Sequence, residues 1–174
     1  MTAKRLNNKE AQAVMDRLQE LSLDDLHELF KQGRVPKFEE IEGECPGIAL
    51  VANPKATWIK KGWELFYGNN PLARWSGMEF VEPFDSDNKG DGYNLFRNRM
   101  LKRRFKCETY IIFESIYDQN PCLRINYKFP SIHWNGFDDA RLIEDGVLLA
   151  QGHMKKPVAL FGFYWVTIST EKAT

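Results

Sequence analysis

Polar side chains within otherwise apolar, alternating segments are the residues of this sequence that could do chemistry. Burying such a group without a partner costs about 1–3 kcal/mol. In a shared interior, arginines would fix an acidic head group while aromatic rings line an apolar wall. On the surface, the same residues would form cross-strand ion pairs that stabilise little. The group comprises Tyr93, Arg97, Arg99, Tyr110, Arg124, Tyr127, Asp138, Asp139, Arg141 and Tyr164.

A histidine precedes the last strand segments, in the loop sequence His133-Trp-Asn-Gly136. A histidine near Asp138 can serve as an acid or base close to neutral pH. Together with Tyr127, these residues are the candidates for acid–base catalysis, although a loop histidine is more often structural. No G-x-S-x-G nucleophile elbow is present, and the catalytic residues stay unassigned.

Metal, cofactor and nucleic-acid sites are not indicated by the sequence. Cys45, Cys107 and Cys122 lack metal-ligand spacing, and neither a dinucleotide-binding nor a P-loop pattern occurs. The acidic run 85–91 lacks the downstream glutamate of a calcium loop. The basic run 102–106 is typical of a charged hairpin tip in a chain without a nucleic-acid module. We therefore expect no cofactor, no metal and no nucleic-acid partner.

The composition is that of one globular domain. The chain has 174 residues, of which 43% are hydrophobic, and its 24 basic and 24 acidic residues balance. This balance gives no overall field that would attract nucleic acid or an anionic membrane. The sequence has neither a secretory h-region nor a long uncharged apolar window, which predicts a cytoplasmic protein with no membrane span.

The elements that must position these residues are mainly strands. Between residues 73 and 169 about seven segments alternate or are apolar, with turn residues between them at regular spacing. Asp145-Gly146 between apolar runs is a strong hairpin signal. Val158–Ile168 carries no charge, so it must be covered on both faces or close a barrel. We predict a mainly β fold, an antiparallel up-and-down β-barrel.

The N-terminal part is predicted to be mostly helical over residues 8–68. Two amphipathic helices occupy 8–33, the second capped by Ser22, and another helical pattern follows Asn53-Pro54. Between them, Gly43–Gly47 predicts a tight bend that leads into a first strand. We expect a single domain over 1–174, with the barrel at 73–169 and the helices packed outside it or capping one end.

Four segments resemble the calycin-like (lipocalin-like) barrel proteins, among them those named for a GXWXG motif. In this chain Cys45 occupies the position of the motif's tryptophan, and Met78 that of a basic residue. The resemblance implies a barrel that holds a small apolar or amphipathic molecule, in a family with no agreed activity. The segments are Leu23–Phe30, Ile41–Gly47, Trp75–Phe80 with Gly92–Asn94, and Asp138–Gly152.

The predicted function is binding of a hydrophobic or amphipathic, lipid-like small molecule in the barrel, with an acidic head group as one version. An acid–base isomerase or lyase acting on such a ligand is one alternative. An interaction module that uses the N-terminal helices is another, and the oligomeric state is left open. The predicted ligand-binding residues are Trp75, Phe80, Asn94, Arg97, Tyr110, Phe113, Arg124, Tyr127, His133, Asp138, Arg141 and Tyr164.

Overall fold

Eight antiparallel strands close into a barrel in which each strand pairs with its neighbours in sequence and β8 pairs with β1. The computed structural model describes residues 5–50, 74–81, 83, 85–97, 102–127, 136–154 and 163–171. The predicted up-and-down barrel is therefore confirmed. The strands are β1 Gly43–Ala49, β2 Arg74–Phe80, β3 Lys89–Arg97, β4 Lys102–Glu114, β5 Pro121–Tyr127, β6 Gly136–Glu144, β7 Val147–Met154 and β8 Phe163–Ile168.

Three helices precede the barrel: α1 Asn8–Gln19, α2 Leu23–Gln32 and the short α3 Phe38–Ile41. Asn7 and Ser22 cap α1 and α2 through capping boxes, so the predicted Ser22 cap is confirmed. The apolar stripes of both helices pack against the wall formed by β7 and β8. No helix in the described part of the chain is long and apolar enough to cross a membrane.

The segment Gly43–Ala49 is a barrel strand, which corrects the prediction of a bend at Gly43–Gly47 and a barrel beginning at 73. Residues 43–46 pair with β2, and residues 47–49 pair with β8. Pro46 lies where β1 changes partner, opposite a bulge in β2 at Gly77. A proline is tolerated at such an irregularity, which is why a turn-like composition forms a strand here.

The hairpin between β6 and β7 turns at Asp145-Gly146, as predicted, and Gly146 has a φ of 74°. Seven strands over residues 74–168 agree with the predicted count, and β1 makes the eighth. The helical pattern predicted after Asn53-Pro54 lies outside the described residues, as does the first half of the segment Val158–Ile168.

Two apolar clusters separate the faces of the barrel wall. One cluster draws residues from all eight strands, as only the inside of a closed barrel can, and we call its side the interior face. The other joins β7 and β8 with α1 and α2 and marks the outer face. Because side chains alternate along a strand, this assignment fixes the face of each polar residue. Ile125, Ala140, Ala150 and Trp165 are typical interior residues.

Candidate functional site

Five side chains from five strands form a connected polar group on the interior face, which we call the carboxyl network: Trp75, Asn94, Tyr127, Asp138 and Trp165. The Trp75 indole donates to Asn94 Oδ1 at 2.9 Å, and the Trp165 indole donates to Asp138 Oδ2 at 2.7 Å. The Tyr127 hydroxyl donates to the same Asp138 oxygen and also interacts with the Asn94 amide. The two indole rings meet edge to face, with centroids 5.6 Å apart.

The strand register brings these side chains together. Asp138 lies opposite Ile125 on β5, which places Tyr127 one interior position along the same strand. On the other side Asp138 pairs with Gly152 of β7, which has no side chain. The Trp165 indole on β8 therefore spans β7 to reach the carboxyl group. All five side chains are more than 90% buried, so the network is enclosed within the wall.

Burial dominates the electrostatics of this network. Loss of hydration raises the pKa of Asp138 from 3.8 to about 7, although the hydrogen bonds from Tyr127 and Trp165 act in the opposite direction. The negative charge of Asp139 adds to the increase. Burial likewise raises the pKa of the Tyr127 hydroxyl well above 10. The carboxyl group therefore exchanges its proton near neutral pH, while the phenol keeps its own.

A second polar cluster lies on the outer face, next to the first along β6. Arg124 Nε and Nη2 donate to the two oxygens of Asp139 at 2.7 and 3.0 Å. His153 Nε2 lies 3.5 Å from Asp139 Oδ2, at the limit of hydrogen-bonding distance. Burial works to raise the pKa of Asp139, but His153 and Arg124 outweigh it and hold the pKa at about 2. This carboxylate is a structural anion with a fixed charge.

Arg141 has the largest fully buried side chain among the described residues, and it also lies on the outer face. Its guanidinium binds both oxygens of Asp118 at 2.6 and 2.7 Å. It also donates to the backbone carbonyls of Phe30, Asn120 and Pro121 at 2.9–3.1 Å. These contacts fasten α2 and the β4–β5 turn to the barrel wall, so Arg141 has a structural role.

Tyr164 belongs to the same outer packing and not to the interior face. Its hydroxyl meets His27 Nδ1 of α2, and the His27 ring stacks on Tyr117 with centroids 4.7 Å apart. Burial lowers the pKa of His27. Acidic residues flank His27 in the sequence, Asp24 and Glu28, yet its ring is partly buried. An acidic neighbourhood along the chain does not show that a bulky tyrosine from β8 packs against the ring.

The structure divides the predicted ligand-binding residues between the two faces. The interior face holds five of them: Trp75, Phe80, Asn94, Tyr127 and Asp138. The outer face holds another five, each with contacts of its own: Arg97, Phe113, Arg124, Arg141 and Tyr164. His133 and the side chain of Tyr110 lie outside the described residues.

Trp165 is the interior residue that the prediction missed. It lies in the uncharged β8 segment, where every second residue is aromatic or branched and neither face stands out. An indole needs a hydrogen-bond acceptor when it is buried, and Asp138 is an unusual acid in an apolar stretch. A buried indole donor and a buried acid in nearby apolar strands are the signal in the sequence that could have linked Trp165 with Asp138.

Other features of the described residues offer less chemistry. Within them, no group of three or more His, Cys, Asp or Glu side chains is arranged to hold a metal ion. The three cysteines are buried, and none forms a disulfide. A cleft of about 580 Å³ lies outside the barrel, beside β1 to β3, and carries charges of both signs. Arg97 lines this cleft and is paired with Glu44.

Comparison with known proteins identifies a structure with a similar fold but gives no information on function. No protein-family model and no curated protein sequence matches the chain. A solved structure, a protein from Thermomonospora curvata, superposes with a TM-score of 0.50 at 14% sequence identity. The alignment covers 94% of this chain and 98% of that one. The fold is thus shared over nearly the full length.

Proposed function

We propose that this protein binds a hydrophobic or amphipathic small molecule inside its barrel. The observation that carries the proposal is the carboxyl network, a polar group enclosed by apolar walls and directed toward the interior. A barrel that served only as a scaffold would gain stability from apolar side chains at these positions. A few convergent polar groups in an apolar surround are typical of small-molecule sites.

The size of the barrel is consistent with this function. Eight strands leave an interior that is either filled by side chains or holds one small ligand. Small residues face each other on the interior, as in the Ala140–Ala150 pair between β6 and β7. The acidic head group is not part of the proposal, because Arg97, Arg124 and Arg141 lie on the outer face with carboxylate partners of their own.

The test combines native mass spectrometry with a binding titration. Freshly purified protein should carry a solvent-extractable hydrophobic compound, or should bind decan-1-ol with a change in tryptophan fluorescence, since Trp75 and Trp165 lie in the interior wall. Ala140→Phe would occupy the interior and should abolish binding, at a cost of about 1–3 kcal/mol in stability. Gln19→Phe on the exposed surface of α1 is the matched control and should bind as the wild type does. Protein that is free of ligand and binds none of the decyl compounds used below would overturn the proposal.

An acid–base enzyme is the second candidate, favoured by the direct hydrogen bond between Tyr127 and Asp138. A carboxyl group with a pKa of about 7 can abstract and return a proton near neutral pH. If so, the protein should exchange the α-hydrogens of 2-decanone for deuterium in D2O, and Asp138→Asn should abolish the exchange. A wild-type exchange rate equal to that of buffer would rule out this activity for ketones.

A further inference from the structure

The described side chains of the interior face carry an acid and no base. Asp138 is an acid whose side chain is 6% exposed, and its Oδ2 accepts two hydrogen bonds from neutral donors. Among the side chains that the structure describes on the interior face, none is lysine, arginine or histidine. The nearby arginine and histidine, Arg124 and His153, are committed to Asp139 on the other side of the wall. The Asp138 carboxyl group is therefore a buried acid without a described cationic partner.

Aromatic rings surround this acid. Trp75, Trp165 and Tyr127 belong to the carboxyl network, and the hydrogen bonds of both indoles use the N–H at the ring edge. The negative faces of the rings take no part in those bonds, and the edge of one indole covers a face of the other. The quadrupole of such rings attracts a desolvated cation, and aromatic walls are a usual means of recognising quaternary ammonium groups. Charge and ring chemistry thus select the same kind of ligand.

We propose that the interior site binds the protonated amine or quaternary ammonium group of a hydrophobic molecule, an inference that rests on the proposed binding function. The ammonium group lies against Asp138 and the indole rings, and the hydrocarbon part lies along the apolar wall. An anionic lipid of the same length is disfavoured, because its head group would meet a buried carboxylate and no described cation.

Binding of a cation is coupled to the proton on Asp138. The titratable groups that face this carboxyl group are the Tyr127 hydroxyl on β5 and, beyond it, the Cys107 thiol on β4, while Asp139 lies on the opposite side of β6. Tyr127 stays protonated and Asp139 stays ionised through the neutral range. Asp138 alone of these acids and phenols changes charge near pH 7. Affinity for a permanent cation should therefore be highest above pH 7 and fall as the pH drops.

The experiment compares ligands that share a decyl chain and differ only in the head group. Decyltrimethylammonium, decylamine, decan-1-ol and decanoate are titrated into the full chain at about pH 8. We expect the two cations to bind about tenfold more tightly than the alcohol, and decanoate to bind most weakly. For decyltrimethylammonium, whose charge does not titrate, affinity should decrease by about tenfold in all as the pH falls below 7, down to the level of the alcohol.

Asp138→Asn should reduce cation binding to the level of the alcohol and remove the pH dependence. Asp24→Asn, which removes an exposed acid from α2, is the matched control and should change neither. Equal affinities for cation and alcohol would overturn the inference but leave the binding function intact. Tightest binding of decanoate would also overturn it. Failure of all four compounds to bind would instead overturn the binding function itself.

Discussion

Asp138→Asn should change how stability depends on pH. In the unfolded chain this carboxyl group titrates at its ordinary pKa of 3.8, and in the barrel at about 7. Between these values the folded protein keeps a proton that the unfolded chain has lost, so rising pH favours unfolding. Each pH unit in this interval costs about 1.4 kcal/mol, or about 4 kcal/mol in all. The contribution is fully present below pH 3.8 and is lost as the pH rises to about 7.

The assay is urea unfolding of the wild type and the variant at several pH values from about 4 to about 8. The free energy of unfolding of the wild type should fall relative to that of the variant by about 4 kcal/mol across this range. Other groups titrate equally in both proteins and cancel in the difference. Asp139 contributes at lower pH, because its folded pKa is about 2 and its stabilising effect is lost only as the pH falls below 3.8. A constant difference between the two proteins would refute the reasoning, since it would mean that the folded barrel leaves the Asp138 pKa unchanged.

Two further predictions concern the wall of the barrel. Gly77 has a φ of +132°, and a Cβ there would lie 2.1 Å from a backbone carbonyl, so Gly77→Ala should cost more than about 3 kcal/mol in chemical denaturation. Gly43→Ala, also at positive φ but with open space around it, should cost only about 1–2 kcal/mol, and equal losses would contradict the steric argument. Arg141→Met leaves Asp118 half-enclosed without its partner and should cost about 3–5 kcal/mol, measured by thermal unfolding. Arg17→Met breaks an exposed ion pair and should cost less than about 1 kcal/mol.

The alternation along the strands predicted the barrel but not its inside. On β3, Asn94 and Phe96 share the interior face while Leu95 and Arg97 share the opposite face, so each face combines a polar and an apolar residue. The outer face is apolar where α1 and α2 cover it and carries a buried ion pair beside them, so hydrophobicity does not distinguish it from the interior. Contacts between strands distant in sequence decide the question.

The carboxyl network could be predicted only in its parts. Trp75, Asn94, Tyr127 and Asp138 are among the predicted ligand-binding residues, the last two because polar groups in apolar strands are costly. Whether these side chains meet depends on the strand register. The register places Gly152 opposite Asp138, and the absence of a side chain there lets the Trp165 indole reach the carboxyl group. A single residue of slip would exchange the two faces, and the sequence pattern tolerates either arrangement.

Because the cysteines are buried, their alkylation measures how often the barrel wall opens. Cys45, Cys107 and Cys122 lie in the barrel wall at 0–2% exposure, and burial raises the pKa of the Cys45 thiol to about 12. An alkylating reagent, which reacts with the thiolate, therefore reaches them only when the wall opens. Labelling in native buffer reports the rate or the equilibrium of that opening, with no denaturant present. If a bound ligand slows the alkylation of all three thiols, the decrease in rate measures how much of the interior is occupied.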